Sequence, residues 1–208
     1  MGNVVAQVGE LLLPRACAGC RRPGALLCAS CRVGLAAPPQ RVFPNSGPHV
    51  PVFALGPYAD PHRSVVLAMK ERNHLAVRRY VGAVLASALE YLEARGDIPS
   101  GAVLVPAPTR ARSARARGGD PVEQVCRASG RPVAPALALD PRAADQSGLD
   151  EAARRANLAG RVRLTGAPSG RVVVVDDVVT TGATLQASTA ILVSHGVDVA
   201  ACVTLCAA

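Results

Sequence analysis

Residues 171–184 read Arg-Val-Val-Val-Val-Asp-Asp-Val-Val-Thr-Thr-Gly-Ala-Thr, and no other run constrains the fold as strongly. Four consecutive valines suit a strand buried on both faces of a parallel sheet, and the apolar periodicity over 183–195 suits a helix that follows at once. The turn between them then lies at the carboxyl end of a strand, where open α/β sheets bind ligands. Gly182 lets backbone approach an anion closely, Thr180, Thr181 and Thr184 offer hydroxyls and N–H groups, and the helix N-terminus adds a positive field. Val178, Val179 and Ala183 complete the loop. Ionised Asp176 and Asp177 only accept hydrogen bonds, so they suit ribose hydroxyls and a hydrated Mg²⁺ rather than a phosphate directly. The segment reads as a sugar-phosphate site. A Walker B strand also ends in acids, but it needs a Gly-rich loop ending in Lys-Ser/Thr, and the sole lysine is Lys70, preceded by Met69. Helix capping alone explains one of the acids and not both.

A chain of 208 residues with half its residues hydrophobic has room for one domain with an appendage. Aromatics make up only 2%, so the core must be built from Val, Leu and Ala, and stacking surfaces for bases are scarce. The net charge of +8 comes almost wholly from arginine, whose planar fork suits phosphate. Small phosphorylated ligands and nucleic acid are both open partners, and a GC-rich genome is an equally good cause of the arginines. No apolar run reaches the roughly 18 to 20 residues that span a membrane. Residues 1–14 have no basic flank and carry Glu10, a poor signal peptide. The expectation is a cytoplasmic protein without membrane insertion, whose thiols sit in a reducing compartment and bind metal rather than pair.

Cys17, Cys20, Cys28 and Cys31 form C-x2-C-x7-C-x2-C, two chelating pairs near enough to close on one ion. Four thiolates suit tetrahedral Zn²⁺ and leave no open position, so the ion would be structural. A redox pair or disulfides are the alternatives. Arg15, Arg21, Arg22 and Arg32 surround the module, either as a solvated basic surface or as contacts to nucleic-acid phosphates. Cys202 and Cys206 lie in an apolar run and read as buried hydrophobes. His49, His62, His74 and His195 show no metal spacing.

The sequence divides into a zinc module (1–36), a linker (37–51) whose five prolines argue against regular structure, and an α/β domain (52–208). Strands are expected over 52–58, 103–105 and 197–205, an extended stretch over 132–139, and helices over 64–72, 75–95, 121–129 and 150–157. Alternation of this kind implies a parallel sheet with helices on its faces. Two further loops should join residues 176–184 at the carboxyl edge. Residues 106–119 carry Arg110, Arg112, Arg115 and Arg117, a cluster suited to pyrophosphate. Residues 140–160 carry Gln146, Ser147, Arg154 and Asn157 and suit a lid over a labile leaving group.

The 176–184 loop resembles the signature loop of type I phosphoribosyltransferases, which bind phosphoribosyl pyrophosphate (PRPP). Across nearly its full length the chain resembles ComF-type phosphoribosyltransferase-like proteins, which join a four-cysteine zinc module to such a domain. The landmarks are the two Cys-x2-Cys pairs; Met69-Lys70; Val105-Pro106-Ala107-Pro108 leading to Arg112, Arg115 and Arg117; Gln146-Ser147-Gly148-Leu149 leading to Arg154 and Asn157; and the acidic loop. The resemblance implies PRPP or phosphoribose binding with Mg²⁺ and a second-substrate role for Lys70 in the region before the sheet; if the chain is an enzyme, the reaction is transfer of phosphoribosyl to a nitrogen nucleophile. A solvated lysine beside Glu71 is the plainer reading of Lys70. Some members handle incoming single-stranded DNA during transformation (competence), so a non-catalytic DNA-binding or regulatory protein is the alternative. Where the family has Arg-Gly-Phe-Asn-Gln, this chain has Arg117-Gly118-Gly119-Asp120-Pro121. No general base stands out.

Overall fold

The computed structural model describes residues 16–70, 75–109, 119–140 and 162–208. Within them the chain runs α1 (Ala29–Leu35), β1 (Gln40–Val42), β2 (Val52–Ala54), α2 (His62–Lys70), α3 (Leu75–Ala94), β3 (Val103–Pro106), α4 (Pro121–Ala128), β4 (Leu137–Leu139), β5 (Val162–Leu164), β6 (Val172–Val179), α5 (Ala183–Ser194) and β7 (Val199–Ala207). Five strands form one sheet in the order β1-β2-β7-β6-β3, parallel except for the β1–β2 pair. The sheet is mixed α/β and mostly parallel, with helices on both faces. A separate antiparallel pair, β4 with β5, flanks it.

The valine run sits where its composition demands. Val172 to Val175 of β6 have no exposed surface, and alternation sends them to opposite faces. Val173 and Val175 join the core built with α2, α3 and α4, whereas Val172 and Val174 join the core built with Leu185, Ala187 and Leu192 of α5. The helices that follow β3 and β6 therefore lie on opposite faces. After β6 the chain returns through α5 to β7, while after β3 it passes through α4 to the far side, where Leu104 bridges Val133. Strand order thus reverses between β3 and β6, and the carboxyl ends of strands at such a point are where open α/β sheets bind ligands.

Residues 37–51, expected to be irregular, contain β1. The prolines flank this three-residue edge strand instead of interrupting it, which is where a sheet tolerates them. The strand β5 was also unforeseen; three residues are too few to display an alternation. The expected helix over 150–157 lies outside the described residues. The cysteine segment is not held apart from the domain, since Cys17, Leu27, Cys31 and Leu35 share one core with Val65, Val66 and Met69 of α2. Pro61, just before α2, backs onto Gly19 and Gly34, and the Arg32 guanidinium lies 5.4 Å from the ring centroid of Tyr80 on α3. Among the described residues no helix is long and apolar enough to cross a membrane.

Candidate functional site

Strand β6 does not stop at the acids, because β7 runs on beside it and pairs Asp176 with Thr204 and Val179 with Ala207. Asp176 and Asp177 therefore occupy fixed strand positions near the carboxyl end of the sheet. Both are partly buried, and the Asp177 N–H donates to Asp176 Oδ1 at 2.8 Å. Burial, reinforced by the neighbouring Asp177 charge, pushes the Asp176 carboxyl up to about 8, against the smaller opposing pull of that N–H and of Lys70. Lys70, at the last turn of α2, reaches into the site: its Nζ lies 2.7 Å from Asp177 Oδ2. The solvated-surface reading of this lysine misses that pairing. The shift favours the protonated form of Asp176.

The threonine loop follows. Gly182 has φ +87° and forms the N-cap of α5. An added Cβ there would stand 2.7 Å from the Ser46 carbonyl oxygen and 2.8 Å from Pro44 Cβ, so glycine is required by contact as well as by backbone angle. The Ser46 N–H donates to the Thr181 carbonyl at 2.7 Å, and the Ala183 N–H to Thr181 Oγ1 at 3.4 Å. Thr180 is exposed, and Thr181 and Thr184 are partly so. Together they ring the N-terminus of a twelve-residue helix, a place suited to an anion.

On the β3 side, Ala107 N–H donates to the Val175 carbonyl at 2.7 Å, which continues the ladder and fixes Ala107 beside β6. Arg110 and Arg112 themselves, and the expected lid residues Gln146, Ser147 and Arg154, lie outside the described residues. The loop's other end is ordered by Asp120, which caps α4 by accepting from Val122 N at 2.8 Å and Glu123 N at 3.2 Å, with Pro121 in the first turn. The departure at 119–121 thus encodes a helix start. Its charge also adds to the upward shift of Asp176.

One residue of this region was not anticipated. Arg78 is only 2% exposed, and it donates to Gln124 Oε1 on α4 and, at 3.1 Å, to the Met69 carbonyl on α2. It ties three helices behind Lys70 and Asp120. A signal was present, since Arg78 falls on the buried stripe of α3 with Val81, Leu85, Ala88 and Leu92, where a charge needs a reason.

The four cysteines converge, their sulfurs all within 4.8 Å of one another. Cys28 is the N-cap of α1, and Cys31 lies in its first turn. The left-handed Arg21 turns the first pair back, with Arg21 N–H donating to the Cys17 carbonyl at 2.8 Å. Cys20 and Cys28 sulfurs stand 3.7 Å apart, close to the separation that two Zn–S bonds of about 2.3 Å subtend at a tetrahedral ion. The Ser30 hydroxyl and then the Cys31 N–H lower the Cys28 thiol to about 6. Burial raises Cys17, but N–H groups of Cys28, Cys20 and Gly19 outweigh it and the net shift is downward. Burial, then the neighbouring thiols, push the Cys31 thiol upward. The donor set fits a thiolate-bound metal such as zinc.

A search of curated proteins finds no match. A family model, the phosphoribosyl transferase domain, matches residues 143–208, the stretch that contains β6, the acids, the threonine loop, α5 and β7. The chain is therefore a phosphoribosyltransferase-like α/β protein with a four-cysteine cluster near its N-terminus.

Proposed function

We propose that this chain is a ComF-type protein that binds PRPP, or a related phosphoribose compound, with Mg²⁺ at the carboxyl ends of β3 and β6, and transfers phosphoribosyl to a nitrogen nucleophile. One observation carries the reading: a carboxylate pair backed by Lys70 stands on the strand that runs straight into a glycine-turned threonine loop at a helix N-terminus. Thr180 to Thr184 would hold the 5′-phosphate, Asp176 and Asp177 the ribose hydroxyls, and Arg110 and Arg112 the pyrophosphate. Asp176 and Asp177 would also hold Mg²⁺, which would supply charge neutralisation for the leaving pyrophosphate. As the nucleophile's lone pair forms the new C1–N bond, the C1–O bond breaks and its electron pair leaves with pyrophosphate. The protein contributes position and electrostatics, since a cation-like sugar ring is stabilised by carboxylates fixed nearby.

Calorimetry of the full chain with PRPP and Mg²⁺ tests the reading, followed by a product screen with amines and bases. Asp176→Asn combined with Asp177→Asn should abolish PRPP binding while leaving the fold intact. An unchanged isotherm in that variant sinks the ribose assignment.

A further inference from the structure

Aromatic side chains are few here, three tyrosines and two phenylalanines, and one stands in solvent beside the threonine loop. Phe53 is buried in the core, but Phe43 is 80% exposed, the highest value for any large apolar side chain among the described residues. It leaves β1 directly into the turn that covers Gly182. That turn is pinned by the Ser46–Thr181 hydrogen bond and by the close fit of Pro44 over Gly182, so Phe43 is held in a fixed relation to the loop. The Arg41 guanidinium lies over the Phe43 ring, 5.4 Å from its centroid. A group stacked there meets a π face and a cation suited to phosphate.

A cavity of about 280 Å³ joins the two features, lined by Phe43, Pro44 and Asn45 on one side and Val179 and Thr180 on the other. It is smaller than the roughly 300 Å³ at which pockets for drug-sized ligands begin, so it has room for about one ring system. Its lining mixes apolar surface with the Asn45 amide and the Thr180 hydroxyl, which suits a planar group with a hydrogen-bonding edge.

Sheet order says which end of the ligand points there. The segment after β3 starts at Ala107, hydrogen-bonded to Val175 on one side of β6, whereas the cavity lies on the other side, with Ala207 of β7 and Val42 of β1. A phosphoribose whose pyrophosphate faces β3 turns its 5′-phosphate toward the cavity. We infer that this cavity is a subsite for a nucleobase joined to the sugar through the 5′-phosphate, with Phe43 as stacking surface, Asn45 as the hydrogen-bonding amide and Arg41 as the cation beside the linkage. The inference rests on the phosphoribose reading of the loop. Two linkages present the same chemistry: the phosphodiester of a nucleic-acid strand, and the 5′–5′ pyrophosphate of a nucleoside diphosphate sugar.

Three ligands measured calorimetrically with Mg²⁺ on the full chain decide it: ribose 5-phosphate, ADP-ribose, and adenylyl-(3′→5′)-ribose. At least one of the two base-bearing ligands should bind on the order of tenfold tighter than ribose 5-phosphate, the contribution of one stacked base. A gain for adenylyl-ribose alone identifies a strand, and a gain for ADP-ribose alone a diphosphate sugar. Phe43→Ala should erase the gain while leaving ribose 5-phosphate affinity within about twofold, and Phe43→Trp should keep it. Equal affinity for all three ligands, or a gain that survives Phe43→Ala, overturns the subsite while the phosphoribose reading stands. If ribose 5-phosphate, PRPP and both base-bearing ligands all fail to bind, both readings fall together.

Discussion

Asp176 is held above the ordinary carboxylate range because it is partly buried beside a second acid, and that single fact gives the site a pH signature. A carboxyl whose pKa is higher folded than unfolded stabilises the fold at low pH and loses that contribution as pH rises through the folded value. The window runs from about 4, the unfolded value, to about 8. The unliganded wild type should therefore lose several degrees of melting temperature between pH 6 and pH 9, and Asp176→Asn should be flatter over the same range. Ligand binding with Mg²⁺ should release a proton near neutrality, which calorimetry in two buffers of different ionisation enthalpy would register; zero release contradicts the shift. Gly182 gives a second test. Alanine there meets both a positive φ and the Ser46 and Pro44 contacts, whereas at Gly170, with φ +80°, it meets open space. Gly182→Ala should cost about 1–3 kcal/mol more than Gly170→Ala by denaturant melts, and should lose sugar-phosphate binding. At this scale the sequence was informative where chemistry is local. The acids, threonines and glycine are contiguous, but the reach of Lys70 to Asp177 and of Arg78 to Gln124 spans distant segments, and no spacing rule reveals such pairs.

The elements were legible to the extent that they were long. The helices over 62–70 and 75–94 and the strand over 172–179 announce themselves through periodicity or an unbroken apolar run. The short strands β1 and β5 exist because a partner strand lies alongside, a cause that is invisible in three residues. The start of α4 shows a local signal at work. Asp120-Pro121 is an N-cap followed by proline at the first helical position, and the helix expected over 121–129 begins there. Asp120→Ala should destabilise the chain by about 1 kcal/mol through loss of the cap, and Asp120→Asn by less, checked by thermal melts. Both should also bring the pH window of Asp176 downward, because each removes a nearby negative charge.

For the whole molecule, the fold class followed from alternating elements, whereas the way the cysteine segment merges with the domain did not. Composition suggested an appendage on a linker; the structure places Cys17 and Cys31 in the same core as α2. That helix begins against the cysteine cluster at Pro61 and ends at Lys70, whose ammonium grips Asp177. Removing metal with a chelator, or Cys17→Ser, should therefore lower the melting temperature of the entire chain rather than release a small independent module, and a separate low-temperature transition would contradict the shared core. A helix with one end in each site also makes the two occupancies thermodynamically reciprocal. If thiolate-bound metal favours the position of α2 that seats Lys70, a ligand that binds the acidic pair in that position must tighten the metal by the same factor. Competition with a chromogenic chelator, run with and without PRPP, measures this directly. On that footing the cysteine cluster is more than a fastening: the zinc a cell supplies and the phosphoribose it supplies would each set how firmly the other is kept.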